Sequence, residues 1–140
     1  MSELKPEANI EQLFTPPAMI RIETVYIAGP MRGYARWNFP AFDLATDIWS
    51  REGFKVISPA AVDRAMGFDP DGPAEQVDEA FIRRALARDA AFVCESDAVA
   101  VLPGWFNSKG ARAEVALARA IGMPIFDALT GRPVPFFRET

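Results

Sequence analysis

Any catalytic chemistry in this chain must use carboxylates, hydroxyls, Arg, Lys or a single thiol, because its 140 residues include no His and one Cys. Ser-His-Asp catalysis, Cys-His catalysis and His-ligated zinc are therefore excluded. Glu114 is the first candidate, since on a helix it would share an apolar stripe with Leu117 and Ala118. A carboxylate on such a stripe needs a partner or the mouth of a pocket, because burying it alone is costly. The alternative is a first-turn Glu that the helix dipole stabilises.

Asp89 is the second candidate carboxylate. It stands in the run Arg88-Asp89-Ala90-Ala91, shortly before an apolar segment. Asp opposes the helix propensity of its Ala- and Leu-rich surroundings, which indicates a helix cap, a helix break or a functional position. The alternative is a surface Asp paired with Arg88 or Arg84.

Two short segments have the composition of an anion-binding site. Gly29-Pro30-Met31-Arg32-Gly33 places one Arg between two glycines, which suits close backbone approach and phosphate or carboxylate binding. Ser108-Lys109-Gly110 would supply a hydroxyl and free N–H groups at a helix N-terminus, although simple N-capping requires the same Ser. Trp105, close by, could stack on a nucleobase, and core packing is its alternative role.

Strand and helix patterns alternate along the chain and must position these residues. The predicted strands are 20–28, 54–58, 97–102 and 124–126, and the predicted helices are 38–51, 74–92 and 108–121, the first of them capped by Asn38. The Gly- and Pro-containing stretch 60–75 predicts an irregular loop or lid.

This order predicts the α/β class, with a single doubly wound, Rossmann-like or flavodoxin-like parallel sheet of four to five strands and helices on both faces. Ligands bind beyond the carboxyl ends of such strands, so the segments that follow the first three strands should converge. These segments are 29–37, residue 58 onward, and 103–109.

Composition and patterning predict one folded domain, residues 20–128, between a flexible N-terminal arm, residues 1–19, and a C-terminal tail, residues 129–140. Phe136-Phe137 in that tail is a candidate subunit contact. The net charge of −4 argues against a nucleic-acid polymer as partner. No signal core and no apolar window of the ~18 residues that a membrane span needs is found, which indicates a cytoplasmic protein without a membrane partner.

Several of these segments together resemble the nucleoside 2-deoxyribosyltransferase superfamily. The resemblance is closest to the 2′-deoxynucleoside 5′-monophosphate N-hydrolases and to a related uncharacterised phage-associated branch. It spans about residues 24–127 and is carried by the order and spacing of Tyr26-Ile27-Ala28-Gly29-Pro30-Met31-Arg32-Gly33, Arg88-Asp89, Ser96-Asp97, Ser108-Lys109-Gly110-Ala111-Arg112-Ala113-Glu114 and Gly122-Met123-Pro124-Ile125.

The resemblance implies a role for each candidate residue. Glu114 would attack the anomeric carbon of the sugar and form a covalent intermediate, Asp89 would be the general acid or an orienting carboxylate, and Tyr26 would position Glu114 or the sugar. Gly29 and Arg32 would line the sugar-phosphate side, and Ser108 with its helix N-terminus would receive the 5′-phosphate. Pro30, Gly33, Gly110 and Trp105 are further candidate substrate-binding residues. No cofactor and no metal is required.

The expected activity is hydrolysis of the N-glycosidic bond of a (deoxy)nucleoside 5′-monophosphate by a homodimer or higher homo-oligomer. The transferases usually carry an Asp at the position of Ser108, whereas the monophosphate hydrolases, like this chain, have Ser there. Pro30, however, matches the transferases, because those hydrolases generally have Ser there. A deoxyribosyltransferase that acts on a nucleoside or nucleotide and a non-catalytic nucleotide-binding module are the alternatives.

Overall fold

A computed structural model describes residues 22–135 of the chain. The predicted arm, residues 1–19, and the Phe136-Phe137 pair lie outside the described residues. No helix in the described part of the chain is long and apolar enough to cross a membrane.

Four strands and four α-helices make up this part of the chain, with one helix between β1 and β2, two between β2 and β3, and one between β3 and β4. The strands are β1 (Thr24–Ala28), β2 (Lys55–Ile57), β3 (Ala98–Val101) and β4 (Ile125–Asp127). The helices are α1 (Phe39–Arg51), α2 (Pro59–Ala65), α3 (Glu79–Glu95) and α4 (Lys109–Ala120). Three 3-10 turns, Ala35–Asn38, Ala74–Gln76 and Trp105–Asn107, precede α1, α3 and α4. The strands pair in the order β2-β1-β3-β4 and all run parallel, so the predicted α/β fold is confirmed.

Side chains alternate between the two faces of β1, and because they are apolar on both, both faces of the sheet are covered by helices. Val25 and Ile27 pack on one face with α1, whose Phe39 and Phe42 are buried there. Tyr26 points to the opposite face, with the buried side of α4. All four residues of β3 are buried, as the continuous apolar run of that strand predicts for a parallel strand covered on both faces.

The prediction of a loop over residues 60–75 is wrong for its first part, where α2 begins at Pro59. Ser58 caps this helix by accepting a hydrogen bond at Oγ from the N–H of Ala61 at 3.3 Å. Pro59 occupies the first helical turn, where its missing N–H costs nothing. The Ser-Pro start therefore outweighs the Gly and Pro residues that follow, and it brings Asp63 into a buried position.

Asn38 precedes α1 as predicted, but its side chain does not cap the helix. Its backbone is left-handed, with φ of 62°, as are those of Arg36 and Trp37 before it. The side-chain amide of Asn38 instead donates to the carbonyl of Pro30 at 2.8 Å. This bond fixes the loop that follows β1 to the start of α1.

Residues after β4 turn back along that strand. The N–H of Val134 donates to the carbonyl of Ile125 at 2.8 Å, and Pro133 forms an antiparallel bridge with Phe126. The described part of the predicted tail therefore packs on the domain.

Candidate active site

Tyr26, Glu114 and Asp89 meet between the sheet and the helices α3 and α4. The hydroxyl of Tyr26 donates to Oε2 of Glu114 at 3.0 Å, and the charge of the nearby Asp89 acts on both Tyr26 and Glu114. Tyr26 is fully buried, and Glu114 and Asp89 are 8% and 7% exposed to solvent. The three residues that the sequence singled out for catalysis therefore form one buried cluster.

Glu114 reaches this cluster because α4 is amphipathic. Ala111, Val115 and Ala118 lie on the same buried side of the helix as Glu114. Glu114 is the sixth residue of α4, and no acidic residue stands in the first turn. The alternative that the helix dipole alone explains this carboxylate is therefore wrong, since that effect fades beyond the first turn.

Asp89 lies within α3 and is neither a cap nor a helix break. It pairs with Arg88, whose Nε donates to Oδ1 at 2.9 Å, but this is not a surface pair, because Asp89 is buried and Arg88 is half-buried. Arg88 also donates through Nη2 to Oδ1 of Asp63 on α2 at 2.8 Å. Asp63 was not predicted as a site residue, although the Ser58-Pro59 helix start was the signal that could have identified it.

Burial controls the protonation of the cluster. It raises the pKa of Glu114 to about 8, with a further increase from the charge of Asp89, against the opposing effects of Tyr26 and Arg88. Burial also raises the pKa of Asp89, which the hydrogen bond and charge of Arg88 counteract. The pKa of Tyr26 is raised by burial and by both carboxylates, so its hydroxyl stays a neutral donor. The guanidinium of Arg88 contacts Asp89 and not Glu114, so it favours the ionised form of Asp89, whereas burial favours the neutral form of Glu114.

The loops that follow β1 and β3 lie against each other, as predicted for two of the three converging segments. A Cβ placed on Gly104 would lie 2.6 Å from the Tyr34 hydroxyl and 3.6 Å from Cγ of Pro30. Pro30 is buried, whereas Arg32 and Gly33 are exposed. The remaining predicted segment begins at Ser58, and its helix α2 reaches the site through the Asp63–Arg88 pair.

The segment before α4 is occupied by packing and capping contacts. Ser108 accepts a hydrogen bond at Oγ from the N–H of Ala111 at 3.2 Å, so it is the N-cap of α4. Gly110 is exposed with open space above it. The Trp105 ring packs edge to face against Phe106 and lies 5.9 Å from the Arg119 guanidinium, which is the packing role that the sequence left open.

A groove of about 380 Å³ opens between α2 and α3. Phe68 and Phe81 provide aromatic walls and stand 5.3 Å apart between ring centroids. Asp63 and Arg88 also line this groove, and Arg88 therefore separates it from Asp89. No group of three His, Cys, Asp or Glu side chains within residues 22–135 could hold a metal ion.

Gly29→Ala is expected to destabilise the fold, because the new Cβ would lie 2.7 Å from Cβ of the buried Leu102. Overpacking of this kind costs about 1–3 kcal/mol. Thermal unfolding measures the change. Gly110→Ala is the matched control: it meets open space within a helix and is expected to stabilise by about 0.5–1 kcal/mol. Equal stability of Gly29→Ala and the wild type would contradict the close approach of the two strand ends.

Fold and site together define a small parallel α/β protein with a buried pair of carboxylates around one tyrosine hydroxyl. The chain belongs to the family described as domain of unknown function (DUF4406), whose model matches residues 23–127. No curated protein matches the sequence. The family description carries no activity, so the resemblance to the nucleoside 2-deoxyribosyltransferase superfamily stays a prediction.

Proposed function

We propose that this protein is an N-glycosidase that hydrolyses the bond between base and sugar in a (deoxy)nucleoside 5′-monophosphate. The observation that carries the proposal is the burial of two carboxylates, Glu114 and Asp89, around the hydroxyl of Tyr26. Buried acids with raised pKa are concentrated at functional sites, because burial is costly without a role. The resemblance described above supplies the substrate class and the role of Glu114 as nucleophile, and this chemistry needs no His.

The first step breaks the glycosidic bond. A carboxylate oxygen of Glu114 bonds to the anomeric carbon of the sugar as the C–N bond breaks, and the bonding electron pair leaves with the base. Asp89, in its protonated form, gives its proton to the departing base. Glycosidases that work through a covalent intermediate use two carboxyl groups about 5–5.5 Å apart. The charge of Asp89 raises the pKa of Glu114, which supports two carboxyls that lie close together.

The second step releases the sugar. Water attacks the anomeric carbon, the ester bond to Glu114 breaks, and Asp89 accepts a proton from the water. The products are the free base and the sugar 5-phosphate, and Glu114 returns as a carboxylate. The acceptor decides the reaction class, since a second base in place of water would give transfer.

This mechanism requires one proton on the pair, and in the free protein burial favours that proton on Glu114. It must therefore move to Asp89 before the attack. Positive charge that develops at the anomeric carbon stabilises an ionised Glu114. Tyr26 lowers the pKa of both carboxyls, so its hydroxyl stabilises whichever of the two is ionised.

A panel of nucleotides tests the proposal. We expect free base from at least one nucleoside 5′-monophosphate, with product separation by chromatography as the measurement, and slower release from the nucleoside that lacks the phosphate. No free base from any ribo- or deoxyribonucleotide would defeat the proposal. Thermal stabilisation by intact nucleotide without turnover would instead favour a nucleotide-binding module.

A deoxyribosyltransferase is the second candidate, and Pro30 is the residue that favours it. This position has no hydroxyl to bind phosphate, and its carbonyl already accepts from Asn38. Addition of a second free base distinguishes the two reactions: exchange into a new nucleoside identifies a transferase, and an unchanged rate of base release identifies a hydrolase.

A further inference from the structure

Arg88 is the cation that faces the buried carboxylate pair. Its Nε and Nη2 lie 2.9 Å and 2.8 Å from Oδ1 of Asp89. The other titratable groups around Asp89 are Tyr26 from β1, Glu114 from α4 and Asp63 from α2. Three of the five groups are carboxylic acids, and the positive charge of the guanidinium offsets the free-energy cost of burying them together.

Asp63 anchors this guanidinium from a separate helix. The Nη2 of Arg88 lies 2.8 Å from Oδ1 of Asp63, and the side chains of Arg88 and Asp63 are 21% and 6% exposed. Arg88 thus bridges α2 and α3, and a planar guanidinium held at two carboxylates has little freedom to rotate. A surface ion pair on α3, Arg83 with Glu79, shows the contrast: its side chains are 78% and 80% exposed.

We propose that Arg88, anchored by Asp63, is the positioning residue that fixes Asp89 beside Tyr26 and Glu114 and keeps the carboxyl pair from binding a second proton. This inference rests on the proposed function for its catalytic consequence, but the arrangement of charges is testable without turnover. Arg88 acts through Asp89 and is assigned no contact with substrate. Without the guanidinium, Asp89 would take up a proton at a higher pH, and both carboxyls would then be neutral where one ionised group is needed.

Titration of the carboxyl groups measures this directly. In protein labelled with ¹³C at Asp and Glu carboxyls, the signals of Asp89 and Glu114 are assigned by their loss in Asp89→Asn and Glu114→Gln. Arg88→Met is expected to raise the titration midpoint of Asp89 by about one to three pH units, the effect of losing an adjacent opposite charge. Arg88→Lys keeps the charge without the fork, so a smaller rise is expected.

Arg83→Met is the matched control, since it removes an Arg from the same helix and is expected to leave both midpoints in place. An unchanged Asp89 midpoint in a folded Arg88→Met protein would overturn the proposal. Where Arg88→Met does not fold, Arg88→Lys decides: a midpoint equal to that of the wild type overturns the proposal, and a raised one supports it.

The pH profile of kcat/KM is the second readout. In Arg88→Met the acidic limb is expected to move to higher pH together with the Asp89 midpoint, whereas a purely structural role would lower activity equally at every pH and would overturn the proposal. If the wild type cleaves no nucleotide, the proposed function fails, and the carboxyl titration alone still decides the role of Arg88.

Discussion

Glu114→Gln is expected to lower the rate of base release by at least about a thousandfold, the scale on which enzymes lose activity without their nucleophile. The amide keeps the size of the side chain and an oxygen that can accept from Tyr26, so the loss would reflect chemistry rather than packing. The measurement is free base released per enzyme from the best substrate of the panel, at a pH near 7.

Glu95→Gln provides the control for this substitution. Glu95 ends α3 and is exposed, so the same chemical change there is expected to leave the rate unaltered. Glu114→Asp tests whether the carboxylate must extend as far as a Glu side chain does, because it shortens the side chain by one methylene. We expect its rate of base release to lie within about tenfold of that of Glu114→Gln. A Glu114→Gln protein with a tenth or more of the wild-type rate would exclude Glu114 as the nucleophile.

The parts of this site that could be predicted are those encoded within one element. The apolar run of β3 predicts a strand buried on both faces, and it is one. Ser108 before and Gly122 after the run of α4 give its limits, and Gly122 has the left-handed φ of 75° that ends helices. The position of Glu114 on the apolar stripe follows from these limits.

The parts that could not be predicted depend on contacts between elements. Arg88 bonds to its neighbour Asp89 and to Asp63, 25 residues earlier in the chain, and no local pattern encodes the second bond. Asn38 is a residue type that commonly caps helices, but its backbone is left-handed, and its side-chain amide donates to the carbonyl of Pro30 instead. For Ser108 the sequence could not separate two roles, because an N-cap and a phosphate ligand require the same hydroxyl.

Glu114→Gln is also expected to make the protein more stable, increasingly so as pH rises. The pKa of Glu114 is about 8 in the folded protein against an ordinary value of 4.5, because burial penalises the charged form. The unfolded chain therefore loses its proton near pH 4.5 while the folded protein keeps it up to about 8. The free energy of unfolding of the wild type falls across this window by about 1.4 kcal/mol per pH unit. The amide carries no such penalty.

Urea unfolding at pH 4.5, 6 and 8 measures the difference. Wild type and Glu114→Gln should have nearly equal stability at pH 4.5, where the carboxyl is neutral, and should diverge by at most about 5 kcal/mol at pH 8. Glu95→Gln should follow the wild type at each pH. A wild type as stable as the amide variant at pH 8 would mean that Glu114 ionises without cost, and the burial argument would fail. A variant that is both more stable and inactive would identify Glu114 as a residue retained for its chemistry, since a residue kept for the fold would not destabilise it.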